Sequence, residues 1–170
     1  MNLMPVPFAF IQTRTSLSWR EALWGYEHQM IAWRDIVGLA TSLLQPHSGA
    51  RELELSTMGK SEAHLVGELL RELAAAENEI LESTIVRKWL FLVLAWTYEN
   101  SNRVDDPLSE VDVIYADFGY PAEIESFVRY MPPQGGYDPS QHSAQENRDR
   151  LFDYWRKYLQ SAGQEFGVAS

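Results

Sequence analysis

The sequence predicts a mainly α protein, a single domain of six or seven helices packed as an irregular bundle or a short α-solenoid behind an extended N-terminal arm. Three observations lead there. Apolar residues recur at helical spacing through most of the chain, Ser-x-x-Glu and Asp-Pro signals stand where such runs begin, and glycine or proline stands where they stop. The 170 residues are 45% hydrophobic and 22% charged, enough for a core and too apolar for disorder. Six tryptophans, eight tyrosines and seven phenylalanines should lie mostly inside, since each ring removes a large area from water.

Residues 1–17 read as the arm or an edge strand, because Pro5 and Pro7 resist helix. "SWRE" then makes a capping box of Ser18 and Glu21, and Gly25 is expected to end or bend that helix. Trp33, Ile36, Val37, Ala40, Leu43 and Leu44 mark a second helix, closed by "QPHSGA". "RELELST" alternates and fits a short strand or a linker. From Ser61, Leu65, Leu69, Leu70 and Leu73 form one stripe. A break near Asn78 precedes a helix containing "IVRKWLFLVLAW", which is apolar nearly all round and so belongs at the centre. Asp106 caps the next helix with Pro107 at its first position, and Gly119 ends it. Pro121 opens another, in which Ile124, Phe127, Val128 and Met131 fall at helical spacing until Pro132 and Pro133 stop it. Residues 132–142 have every mark of a mobile loop. Ser143 and Glu146 form a second capping box, opening a C-terminal helix over 143–162 that Gly163 ends.

The net charge is −10, and it is unevenly placed. Residues 61–82 hold six glutamates against Arg71 alone, and residues 105–125 hold seven acids and no base. Such a chain is a poor nucleic-acid binder, which needs cationic surface to displace counterions from phosphates. It suits a basic protein partner, steered in by charge. No cysteine is present, which removes disulfides, thiolate catalysis and cysteine-ligated zinc. "MNLMPVPFAFIQT" lacks the basic start of a secretory leader, and "WLFLVLAW" is far short of the roughly 20 residues that cross a bilayer. A cytoplasmic protein without membrane contact is expected.

Signals for chemistry are thin. His28, His47, His64 and His142 are scattered, with no ligand pattern around them, so no metal or other cofactor is assigned. Gly59-Lys60-Ser61 imitates the tail of a phosphate-binding loop without its earlier glycine or its strand. No nucleophile elbow exists, and no catalytic residue is assigned. Asp105, Asp106, Asp112 and Asp117 could form a carboxylate cluster for a divalent metal, but helix caps and solvated faces account for them.

Residues 115–133 form the most distinctive stretch: a helix end, a Gly-Tyr-Pro corner and a second apolar run. Gly119, Tyr120 and Pro121 make the corner, and a link from Asp117 to Arg129 across it is expected. "IYADFGYPAEIESFVRYMP", with the upstream "WLFLVLAWTYENSNRVDDPLSEVDVIY" and "LSWREALWGYEH", resembles a bacterial family of small uncharacterised proteins with a Y-A-D-F-x-Y-P-x-E-I…F-x-R-Y-M-P signature. The resemblance covers most of residues 16–132 and brings no catalytic residues with it. By analogy with small acidic α-rich proteins encoded beside polymorphic or contact-dependent toxins, it implies an immunity protein.

The expected function is therefore binding and neutralising a cognate toxin domain, a basic nuclease in the first instance. The acids expected at the contact are Asp105, Asp106, Glu110, Asp112, Glu123 and Glu125, then Glu68, Glu72 and Glu79. An α-helical adaptor or homodimeric scaffold is the alternative, and a metal-dependent hydrolase the third reading.

Overall fold

The computed structural model describes residues 5–167. Among them are eight α-helices, four 3₁₀ segments and no strand, so the α class is as the sequence predicts. Backbone contacts gather these residues into two compact units, 5–87 and 88–167. The boundary between them falls within one helix.

In the first unit the helices are α1 (Phe8–Arg14), α2 (Trp19–Glu27), α3 (Trp33–Leu43), α4 (Ala50–Ser56) and α5 (Val66–Ala76). The extended arm is corrected to α1; its first four residues lie outside the described ones. Pro7 sits at the N-cap with φ −58° and ψ 131°, so its ring obstructs nothing downstream, and Phe10 and Ile11 bury their side chains. "RELELST" is corrected likewise. It is α4, with Leu55 fully buried and Leu53 55% exposed, two residues apart and on different faces of a helix.

Ser18 and Glu21 form the expected box, the Glu21 N–H donating to Ser18 Oγ at 3.1 Å. Gly25 does not end α2, which runs on to Glu27; the turn comes at Gln29, whose φ is +61°. α2 packs on α5, where a Cβ on Gly67 would stand 3.3 Å from the Tyr26 ring, so the small residue sets the approach. Glu77, just past α5, accepts the Trp19 and Arg20 N–H groups at 3.1 and 2.8 Å. A carboxylate distant in sequence thus satisfies the positive end of α2.

α6 (Glu82–Glu99) carries the chain into the second unit, with α7 (Pro107–Asp117) and α8 (Ala144–Phe166) following. Every residue from Trp89 to Ala95 is buried, which explains why this run is apolar all round. The helix expected after Pro121 is corrected to a 3₁₀ segment, Ala122–Phe127. Its three-residue period still buries Ile124 and Phe127 on one side. α8 packs against this segment: Phe127 stacks on Trp155 at 5.9 Å, and Tyr98 meets Trp155 edge-on at 5.2 Å. α8 also passes through Gly163, expected as its end, and stops at Phe166. A Cβ at Gly163 would lie 4.0 Å from the Phe91 ring, so that glycine is at a helix contact rather than a cap. No described helix is long and apolar enough to cross a membrane.

Candidate functional site

The site grows from the start of α7. Asp106 caps the helix by accepting the Ser109 N–H, and Pro107 takes the first position, where no N–H is needed. At the other end Gly119 and Tyr120 are both left-handed, with φ +77° and +60°, and the Tyr120 N–H donates to the Tyr115 carbonyl at 2.8 Å. Glycine adopts that conformation freely; tyrosine does so at a cost of about 1 kcal/mol. Two such residues in succession turn the chain sharply, and Pro121 starts the 3₁₀ segment.

After the corner the chain runs back beside α7, and this decides which acids pair. Arg129 donates to Asp106 Oδ2 at 2.8 Å through Nη1 and to Asp112 Oδ2 at 3.0 Å through Nη2. The expected Asp117–Arg129 link is therefore corrected: Arg129 meets the start and middle of α7, and Asp117 Oδ2 is buried without a hydrogen-bond partner among the described residues. The Arg129 guanidinium beside Asp106 holds that carboxyl below its ordinary value. Burial alone would lower the Arg129 pKa, but its bonds to Asp112 and Asp106 carry it above the usual arginine value. The Tyr115 hydroxyl donates to Glu125 at 3.2 Å and lies 3.9 Å from the Met131 sulfur. Burial, then that carboxylate, pushes the Tyr115 pKa up.

The expected contact acids consequently divide. Asp106, Asp112 and Glu125 are engaged inside the corner. Asp105 and Glu110 are exposed and unpaired among the described residues, and Glu123 is exposed. Glu68, Glu72 and Glu79 belong to the first unit, where Arg51 Nε reaches Glu72 at 2.6 Å while Glu68 and Glu79 are exposed.

Beside the acids the corner presents aromatic surface. Tyr115 is 3% exposed, and its ring is met edge-on by Tyr120 at 5.3 Å and obliquely by Tyr130 at 6.0 Å. Those two rings are 62% and 58% exposed, and Val113 is 46% exposed. Two tyrosines propped on a third, beside carboxylates, are suited to grip a protein surface.

The residues after the corner also line a cleft of about 480 Å³. Leu108, Val128, Met131 and Leu151 supply its apolar lining; Arg148 and Arg150 of α8 supply charge. Residues 132–142, expected as a mobile loop, form one wall and are largely exposed, but Tyr137 is pinned. Its hydroxyl donates to Asn147, its ring stacks on His142 at 4.6 Å, and the Arg150 guanidinium lies 4.0 Å from its centroid. The cleft is shared by α7, the 3₁₀ segment, the following loop and α8, so no local motif announces it. The one readable signal is the helical spacing of Arg150 and Tyr154, whose cation–π contact is 4.9 Å. Among the described residues, no three His, Cys, Asp or Glu side chains converge as metal ligands.

No curated protein and no solved structure matches the chain. A bacterial family does match, over residues 8–163, and so extends past Met131 through the loop and most of α8. The chain belongs to the family described as "Uncharacterized protein conserved in bacteria (DUF2247)".

Proposed function

We propose that the protein is an immunity-type inhibitor, which binds a cognate toxin domain and neutralises it through the tyrosine and acid surface of the α7 corner. The observation that carries this reading is the exposed Tyr120 and Tyr130 pair, held on Tyr115 by a corner that Arg129 ties to α7. Rigid aromatic anchors lose little entropy on binding and are enriched among residues that dominate interfaces. Asp105 and Glu110 would steer a basic partner, with the chain's net charge of −10 behind them. The class of partner comes from analogy with small acidic α-rich bacterial proteins encoded beside toxins.

The test is to look for a toxin gene adjoining this one, co-express its toxin domain with the protein, and run calorimetry on the purified pair. Neutralisation and a Kd of micromolar or tighter support the reading. Growth arrest undiminished by the protein, with no heat of binding, refutes it.

A further inference from the structure

We propose that the cleft beside the corner binds a small amphipathic carboxylate, its anionic head on Arg150 and its apolar body against Leu108, Val128, Met131 and Leu151. This inference stands apart from the toxin reading and rests on different residues.

Arg150 is the central observation. Its guanidinium lies 4.0 Å from the Tyr137 ring centroid and 4.9 Å from that of Tyr154, so aromatic rings fix it in place. Tyr137 is itself fixed by Asn147 and His142. Arg129 is committed to Asp106 and Asp112, and Arg156 and Lys157 to Asp153, while Arg148, the cleft's second cation, rests 5.0 Å from the Phe152 ring. Arg150 has no carboxylate partner among the described residues, in a chain whose net charge is −10. An arginine presented this way keeps a planar fork of N–H donors, which matches the two oxygens of a carboxylate.

The surroundings fit the rest of such a ligand. Glu125 is the acid in the lining, and the Tyr115 hydroxyl already engages it at 3.2 Å. Ser126, Gln134 and Asn147 add polar groups to the lining. A volume of about 480 Å³, lined by apolar side chains and by charged ones together, is of the size that takes a small ligand with both characters.

The experiment is an NMR titration of the full chain with three probes: 4-phenylbutyrate, its neutral counterpart 4-phenylbutanol, and acetate. Saturable shifts at Arg150, Tyr137 and Leu151 are expected with phenylbutyrate, and affinity at least about tenfold weaker for the other two. Arg150→Gln should weaken phenylbutyrate about tenfold and leave phenylbutanol unchanged. Gln134→Glu, on the exposed loop, should weaken the carboxylate selectively without disturbing α8, and decides the matter if the Arg150 variant does not fold. Equal binding of the alcohol, undiminished binding by either folded variant, or no saturable shift in the cleft overturns the proposal.

Discussion

The two acid-rich segments, 61–82 and 105–125, look alike in sequence and are used differently. In the first, the acids stand on helix faces or serve other helices: Glu77 caps α2, and Glu72 meets Arg51 on the surface. In the second, one downstream arginine draws Asp106 and Asp112 together, and a tyrosine holds Glu125. Charge counts show where acid is dense. Which acids remain available depends on where the chain returns, and that is a property of the corner.

The largest expected effect lies beneath that corner. Trp155→Ala should cost about 3–5 kcal/mol in urea unfolding, since it empties the floor under Phe127. Trp155→Phe should cost only about 1 kcal/mol, because the buried indole N–H it removes has no partner among the described residues. Equal costs would show that the contact with Phe127 is not what holds the corner. Next, Gly119→Ala should destabilise by about 1–2 kcal/mol through backbone strain alone. At φ +77° a Cβ there meets no atom within 4 Å, so a larger loss would contradict that explanation.

Glu77→Ala and Arg129→Ala compare the segments directly. The first removes a helix cap and the second two partly exposed ion pairs, and each should cost about 1 kcal/mol. Only the Arg129 variant should broaden the NMR signals of Tyr120 and Tyr130. Acid titration sharpens this further. Asp106 is held below its ordinary value of 3.8, so it stabilises the fold above that pH and the benefit fades as pH falls through the lowered folded value. The drop in urea midpoint below pH 3.8 should therefore be shallower in Arg129→Gln than in the parent. Glu72→Gln, breaking a surface pair, should change stability by less than about 0.5 kcal/mol.

Much of the fold is legible in the residues. The capping boxes at Ser18 and Ser143, the Asp106–Pro107 start and the buried run in α6 all follow from local rules. The misreadings have physical causes. Prolines at 5 and 7 hide α1 because proline bars helix behind it and not ahead. Gly25 and Gly163 look like stops but lie within helices, and at Gly163 the small residue meets the Phe91 ring. Of the site, the corner is visible as Gly-Tyr-Pro, while the partners of Arg129 are not, because a 3₁₀ segment replaced the expected α-helix. The cleft was hidden because its walls come from several elements that share no sequence pattern.

The proposed function stands or falls on whether the Tyr120 and Tyr130 pair is the face that meets a toxin. Calorimetry of the toxin domain against the parent protein and Tyr130→Ala tests it most directly, with thermal unfolding as the control. The variant should bind at least about tenfold more weakly at an unchanged melting temperature. Equal binding by parent and variant would contradict it.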